Sequence, residues 1–373
     1  MIYFDNAATS PIRQRVIDRI VSSFQNHWGN PSSLHKKGFE AEKAMDRARS
    51  SIASFFDVEK KSILFTSGAT ESNNMAIEGT IRGKEKENIV LTRVEHSSIY
   101  EKARSLEGKI EVRYLKVDRQ GRVDPKDLEK EVDEDTSLVC LIHVNNELGT
   151  IADLNMLSLI VKKKNPNCKL LVDGVQAFAK LPIDLSQPID FYSASGHKIH
   201  GPKGIGLLYV KDPKSFRPLL YGGGQEFALR PGTENVAYME GLEEALLAMQ
   251  EDGKDPRDLY QYARDRVKEI PYHVFNSPED GSPYILNVGF AGVKSELLLR
   301  FMEQEKMYLS SGSACNKGKK SRVLEAIGVE GNFIDGCIRI SFSRDNRIEE
   351  AELFFDHMEQ SIENIRKFMK FRG

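Results

Sequence analysis

Between about residues 62 and 210 the chain alternates short apolar runs with helix-like segments, and this alternation constrains the fold more than any other feature. Apolar, β-branched runs separated by amphipathic segments are typical of parallel strands joined by helices that cover both faces of a sheet. The predicted strands are 63–65, 88–91, 138–144, 170–172 and 205–210, and the predicted helices between them include 124–132 and 154–164. The sequence therefore predicts a large α/β domain with a mostly parallel sheet.

Beyond about residue 242 the pattern changes. A long, charged segment over 249–268 predicts a helical connector, and 348–369 predicts an amphipathic helix because it holds neither proline nor glycine. Further strands are predicted at 284–290 and 337–342. We expect a large domain over 13–248 and a smaller α+β domain over 249–373, with residues 1–12 packing near the smaller one.

Composition excludes several classes of protein. A chain of 373 residues is long enough for two domains, and its formal charge of -2 gives no electrostatic reason to bind nucleic acid or an acidic membrane. The four cysteines are scattered without a CxxC pair, which argues against a disulfide framework and a structural zinc site. No basic leader or run of 18 apolar residues is present, so we expect a cytoplasmic, unanchored protein.

Lys198 lies among small residues in the stretch S-A-S-G-H-K-I-H-G-P-K-G that begins at Ser193. A lysine amine becomes a nucleophile toward carbonyl groups when desolvation or a neighbouring cation lowers its pKa, and His197 and Lys203 are such neighbours. This pattern predicts a Schiff-base lysine. The structural alternative is a lysine that caps a surface turn.

The segment I-L-F-T-S-G-A-T-E-S-N over 63–73 runs from a strand through a glycine turn into a helix. The first turn of such a helix presents unpaired N–H groups and a positive dipole end, which suit a phosphate. Thr70 adds a hydroxyl donor. Ser195 and His197 lie close in sequence to Lys198 and could complete the same phosphate site. The alternative is a simple helix cap made by Thr70 or Ser67.

Asp173 ends an apolar run, and open α/β sheets bind their ligands at the carboxyl ends of strands. A buried carboxylate needs a cation or donors, and a protonated pyridine nitrogen is a suitable cation. Enzymes that use pyridoxal 5′-phosphate (PLP) combine a Schiff-base lysine with such an aspartate, so that the ring acts as an electron sink. The alternative for Asp173 is the N-cap of a following helix.

Taken together, these motifs make the chain resemble the cysteine desulfurases of the NifS/IscS type, which are PLP enzymes with the aspartate-aminotransferase fold. The resemblance covers nearly the whole chain. Its motifs are Y-F-D-N-A-A-T at 3–9, G-N-P-S-S-L-H at 29–35, T-S-G-A-T-E-S-N-N at 66–74, E-H at 95–96, H-V-N-N-E-L-G at 143–149, D-G-V-Q at 173–176, S-G-H-K-I-H-G-P-K-G-I-G at 195–206, G-G-G-Q-E at 222–226, R-P-G-T-E-N at 230–235 and S-S-G-S-A-C at 310–315. Gly174 departs from the family, in which alanine is frequent at that position.

The resemblance implies a role for each matching residue. Lys198 would form the Schiff base, Asp173 would bind the pyridinium nitrogen, His96 would stack on the ring, and Gln176 would bond the phenolic oxygen. Asn146 would help to position the cofactor and the substrate. The phosphate would be held by Ala69, Thr70, Ser195 and His197, joined by Thr233 from the partner subunit of a homodimer.

Two further residues concern the substrate, L-cysteine. Arg339 lies in a β-branched run, where an arginine is seldom buried without an anion, and it matches the residue that grips the substrate carboxylate. Cys315 lies among small residues beside Lys317, Lys319 and Lys320, and positive charge stabilises a thiolate. The resemblance makes Cys315 the nucleophile that takes sulfur as a persulfide. The alternatives are an incidental thiol for Cys315 and an internal carboxylate partner for Arg339.

We therefore expect a PLP-dependent cysteine desulfurase that forms L-alanine and delivers sulfur to iron-sulfur scaffold or tRNA-thiolation proteins. A selenocysteine lyase or a cysteine-sulfinate desulfinase on the same scaffold is the main alternative. A binding protein that engages sulfur-relay partners without turnover is the second alternative. We expect no metal site, no membrane contact and no direct contact with nucleic acid.

Overall fold

The structure is a computed structural model that describes residues 1–311 and 321–371. The strands are β1 (Ile2–Tyr3), β2 (Ile63–Thr66), β3 (Asn88–Thr92), β4 (Glu111–Leu115), β5 (Thr136–Ile142), β6 (Lys169–Asp173), β7 (Phe191–Ser195), β8 (Gly206–Val210), β9 (His273–Phe275), β10 (Ile285–Phe290), β11 (Met307–Tyr308), β12 (Ser310–Ser311) and β13 (Cys337–Ser341). The helices are α1 (Gln14–Asn26), α2 (Lys36–Phe56), α3 (Ala69–Thr80), α4 (Ser97–Arg104), α5 (Pro125–Glu131), α6 (Leu154–Lys164), α7 (Val236–Glu251), α8 (Arg257–Glu269), α9 (Ser295–Gln304), α10 (Arg322–Ala326), α11 (Gly331–Ile334) and α12 (Ile348–Phe368).

The larger sheet has seven strands in the order β2-β8-β7-β6-β5-β3-β4. From β4 to β7 neighbouring strands run parallel, whereas β8 is antiparallel to both β7 and β2. Strands β2, β3, β7 and β8 are buried along their whole length, as expected when helices cover both faces of a sheet. The α/β class and the mostly parallel sheet predicted from the sequence are confirmed. The carboxyl ends of β6 and β7 place Asp173 and Ser195 at the same edge.

The smaller sheet is antiparallel, in the order β12-β13-β10-β9. The N-terminal segment joins this part of the molecule, because β1 pairs with β11 and Asp5 bridges to Ser341. Phe4 is fully buried, with its ring centroid 5.2 Å from that of Phe342 and 4.9 Å from that of Phe354. Residues near the two ends of the chain therefore share one apolar core. Helix α7 crosses the predicted boundary at 248–249, and the boundary itself stays a prediction.

The single helical connector predicted over 249–268 is wrong. Helix α7 ends at Glu251, and α8 begins only at Arg257. Gly253 between them takes a left-handed φ of 57°, and Pro256 is the N-cap of α8. The charged composition of the segment hid two ordinary helix-stop signals, a glycine and a proline within a few residues of each other. Among residues 1–311 and 321–371, no helix is both long and apolar enough to span a membrane.

Candidate active site

A cavity of about 580 Å³ opens at the carboxyl ends of β6 and β7. It brings together ten of the residues singled out in the sequence, namely Ala69, Thr70, His96, Asn146, Asp173, Gln176, Ser195, His197, Lys198 and Arg339. Thr233 lies apart from them and is exposed. The prediction for Cys315 falls outside the described residues. The cavity therefore gathers residues whose positions in the sequence span from 69 to 339.

Lys198 ends a 3₁₀ turn, Gly196–Lys198, that follows directly on β7. Its Nζ donates to the carbonyl oxygens of Ala7, at 2.6 Å, and Ala8, at 2.7 Å. The lysine thus points into the cavity, and the reading as a surface-turn cap does not hold. The two carbonyl acceptors come from the N-terminal segment, for which the sequence analysis proposed no role in the site.

Asp173 is the last residue of β6 and is only 2% exposed. Its Oδ2 accepts a hydrogen bond from Asn73 Nδ2 at 3.0 Å, and its Oδ1 accepts one from the backbone N–H of Val175 at 3.1 Å. Asp173 thus closes a local turn rather than capping a helix. Two amide donors stabilise a carboxylate but supply no positive charge, so the carboxylate is suited to a cationic ligand. Sequence reasoning missed Asn73, although it lies within the motif at 66–74.

His96 is the N-cap of α4, and its Nδ1 accepts a hydrogen bond from the backbone N–H of Ser98 at 3.2 Å. Burial lowers the pKa of His96 and nearby Lys198 lowers it further, whereas Asp173 acts in the opposite direction. The ring is therefore neutral at physiological pH. His96 thus has the structural role of a helix cap and also lines the cavity.

Helix α3 starts without a side-chain cap, after the turn that follows β2. Gly68 is the N-cap residue of α3, and neither Ser67 nor Thr70 caps the helix. The turn approaches β8 closely, since a Cβ on Gly206 would lie 2.6 Å from Gly68 Cα. An uncapped helix start lined by Ala69, Thr70 and Ser195 is suited to an anion.

His197 lies at the same end of the cavity. Its Nδ1 is 3.1 Å from Thr9 Oγ1, and burial, reinforced by Lys198, lowers its pKa to about 4. The imidazole is therefore neutral at physiological pH and can donate one hydrogen bond to an anion.

Arg339 lies on β13, lines the same cavity and is 5% exposed. Its Nη2 donates to Asp5 Oδ1 at 2.9 Å and its Nη1 to the Asn146 carbonyl at 2.9 Å. The internal carboxylate that the sequence left open as an alternative is thus present, and it is Asp5. The buried Nε of Arg339 has no hydrogen-bond partner among the described residues. Because Asp5 is separated from Arg339 by 334 positions, no local signal could have revealed the pair.

The residue that precedes His96 in the sequence carries a buried carboxyl group. Glu95 is fully buried, and its Oε1 accepts hydrogen bonds from Thr92 Oγ1 at 2.8 Å and from the Ile142 N–H at 3.1 Å. Burial, together with the charge of Asp173, raises the pKa of Glu95 to about 8. The carboxyl next to His96 is therefore mainly protonated at neutral pH.

Steric crowding explains why residue 174 is a glycine. A Cβ built on Gly174 would lie 1.8 Å from Cζ of Tyr192, a fully buried tyrosine on β7. No side chain fits between these two residues. The departure from alanine at this position thus accompanies a large aromatic ring on the neighbouring strand.

Comparisons with known proteins agree with this geometry. The family model for aminotransferase class-V matches residues 2–354. The chain is 37% identical to the putative cysteine desulfurase IscS 1 of Bacillus subtilis, over 98% of this chain and 99% of the relative. It is 36% identical to the cysteine desulfurase IscS of Dictyoglomus turgidum, over 100% of this chain and 97% of the relative.

Solved structures give the same result. A NifS-like protein superimposes with a TM-score of 0.91 at 35% identity, covering 97% of this chain and 99% of the other. A structure described as SspA in complex with cysteine superimposes with a TM-score of 0.82 at 32% identity, covering 92% and 99%. The fold, the family match and the near full-length relatives lead to one conclusion: this chain belongs to the NifS/IscS-type cysteine desulfurases of the aminotransferase class-V family.

Proposed function

We propose that the protein is a PLP-dependent cysteine desulfurase that converts L-cysteine to L-alanine and passes the sulfur on as a persulfide. The observation that carries the proposal is the content of one cavity. A lysine amine, a buried carboxylate held by two amide donors and an uncapped helix start all face it, at Lys198, Asp173 and Gly68. A pyridine aldehyde phosphate needs these three groups, for its aldehyde, its ring nitrogen and its phosphate respectively.

The residues of the cavity fit this cofactor. The first turn of α3, with Thr70, Ser195 and His197, would hold the phosphate, and Asp173 would pair with the pyridinium nitrogen. Neutral His96 would lie against the ring, Gln176 would donate to the phenolic oxygen, and Lys198 Nζ would hold the cofactor covalently. When bound, the cofactor supplies an electron sink for the substrate's α-carbon.

The other residues bind the substrate and move its protons. Arg339 would bind the carboxylate of cysteine through its guanidinium, with Asn146 beside it, which leaves the thiol end of the substrate for the nucleophile. Lys198 Nζ would remove the proton from the substrate's α-carbon. Cys315 thiolate would then attack the substrate sulfur: an S–S bond forms, the C–S bond breaks, and the carbon takes up a proton to give alanine.

A homodimer is part of the proposal, with Thr233 of the partner subunit completing the phosphate site. Large apolar side chains are exposed on and between α1 and α2, including Phe24 at 56%, Trp28 at 64% and Phe39 at 57%. Phe227, which is 50% exposed, lies a few residues before Thr233 and packs against Arg49 of α2. Side chains of this size on one surface support burial by a second copy of the chain.

The test is a turnover assay on the protein reconstituted with PLP. We expect stoichiometric alanine and transferable sulfur from L-cysteine, and a Cys315→Ala variant that keeps the cofactor but transfers no sulfur. The buried Cys337, replaced by Ala, is the matched control for a lost thiol and should keep sulfur transfer. Selenide or sulfite release with little alanine from cysteine would instead support the lyase or the desulfinase reading. Normal transfer by Cys315→Ala would contradict the role of Cys315.

A further inference from the structure

Lys180 is a largely buried cation that the proposed chemistry does not use. It lies in the turn that follows Gln176 and lines a second cavity, of about 360 Å³, together with Lys254, Tyr284 and Arg344. Its Nζ is 5.3 Å from the centroid of the Tyr284 ring. Burial, with contributions from Lys198 and Arg344, lowers the pKa of Lys180 to about 7. Its position thus has an electrostatic cost, because both charged groups that act on it are cations.

The group that Lys180 contacts is the amide of Gln176. Lys180 Nζ donates to Gln176 Oε1 at 3.4 Å, and Gln176 Nε2 donates to the Ala7 carbonyl at 2.9 Å. Lys198 Nζ donates to the same carbonyl at 2.6 Å. The Nε2 end of the amide is therefore the end that faces the reactive lysine.

These two hydrogen-bond partners determine the orientation of the Gln176 amide group. A carbonyl oxygen only accepts a hydrogen bond and an ammonium group only donates, so the two ends of Gln176 have partners of opposite polarity. Without Lys180, Gln176 Oε1 would lose this donor, and the amide would be held less firmly, through Nε2 and the Ala7 carbonyl.

We propose that Lys180 is a positioning residue that fixes the amide of Gln176 with its N–H₂ group toward the phenolic oxygen of the cofactor. This inference rests on the proposed function. The phenolic oxygen is an acceptor, so a donor in this place stabilises its anionic form, whereas an amide oxygen would repel it. Lys180 is held against Tyr284, which in turn accepts a hydrogen bond from Arg344 Nε at 2.8 Å. The orientation of Gln176 therefore depends on residues far from the cavity in sequence.

The experiment compares PLP binding by wild type, Lys180→Met and Lys180→Arg. Two quantities are measured: the dissociation constant of PLP from titration of the cofactor-free protein, and the apparent pKa of the visible absorbance of the bound cofactor. In Lys180→Met we expect about tenfold weaker binding, as for one lost hydrogen bond. We also expect the apparent pKa to rise by about one unit, because the anionic oxygen loses its donor. Lys180→Arg keeps a cationic donor and should restore both values toward wild type.

Lys254→Met is the matched control, since it removes a lysine from the same cavity and should leave both quantities unchanged. The melting temperature of each cofactor-free variant separates a folding defect from a positioning effect. If Lys180→Met does not fold, Lys180→Leu is used, whose side chain is shorter and also carries no donor, with the same expected result. Wild-type values in a folded Met or Leu variant, or no rescue by Arg, would overturn the inference. A wild-type protein that binds no PLP would instead refute the proposed function.

Discussion

The proposed function divides the residues of the cavity into a cofactor end and a substrate end, and the two are built in different ways. The residues of the cofactor end come from positions 69–198, at strand ends and helix starts of one sheet, and the hydrogen bonds to Asp173 among the described residues come from two amide groups. The substrate end joins Arg339 of the small sheet to Asp5 of the N-terminal segment, and its cation is already paired. The cofactor end is thus built on the large sheet with carbonyl groups of the N-terminal segment beside it, whereas the charged pair of the substrate end depends on contact between residues near both ends of the chain.

The largest expected effect is at the cofactor end. Asp173→Asn removes the negative charge that would hold the pyridinium nitrogen protonated. We expect kcat for alanine formation to fall about 10³-fold, because breaking a buried ion pair costs about 4 kcal/mol. Steady-state kinetics at saturating PLP measure this effect.

Asp153→Asn is the matched control, because Asp153 caps α6 at Met156 and lies outside the cavity. Its variant should keep both its thermal stability and kcat, because asparagine caps a helix about as well as aspartate does. An Asp173→Asn enzyme with kcat within a few-fold of wild type would show that the buried carboxylate does not act on the cofactor.

At the substrate end the expected effect is on binding. Arg339→Lys keeps the charge and the pair with Asp5 but loses the guanidinium fork. We expect KM for cysteine to rise about 10- to 100-fold, as for one or two lost charge-assisted hydrogen bonds, with a much smaller change in kcat. Arg300→Lys is the control, because Arg300 is an exposed residue of α9. An unchanged KM together with a reduced kcat would show that Arg339 does not bind the substrate carboxylate.

A steric prediction concerns the strand that carries Asp173. Gly174→Ala places a Cβ 1.8 Å from Tyr192 Cζ, so β6 and β7 must separate locally. We expect the free energy of unfolding to fall by about 2 to 3 kcal/mol. The double variant Gly174→Ala, Tyr192→Leu should recover part of this loss. An unchanged urea midpoint in the single variant would show that the two strands accommodate the methyl group.

The smallest expected effect concerns Glu95, the buried neighbour of His96 in the sequence. Its pKa of about 8 lies above the ordinary value of 4.5, so between these values the folded state holds a proton that the unfolded state has lost. Folded-state stability therefore falls as pH rises through this window, by at most about 1.4 kcal/mol per pH unit. Glu95→Gln should gain stability relative to wild type by about 1 kcal/mol between pH 6 and pH 7. A stability difference that does not vary with pH would contradict the raised pKa.

The cofactor end could be predicted from the sequence because its signals are local. Asp173 and Lys198 each follow an apolar run, and their roles depend on strand ends that parallel topology brings together. Asn73 was missed because a polar residue within a helix carries no sign that it faces a carboxylate. Asp5 was missed because its pair with Arg339 depends on how the N-terminal segment packs, which no periodicity encodes.

The central claim is that Lys198 holds the cofactor, and borohydride reduction of the PLP-loaded protein tests it most directly. Reduction makes the covalent attachment permanent, and peptide mapping by mass spectrometry then locates it. The account predicts one added pyridoxyl phosphate group per chain, on the peptide that contains Lys198. The same mass on the Lys180 or Lys203 peptide, or on none, would contradict it.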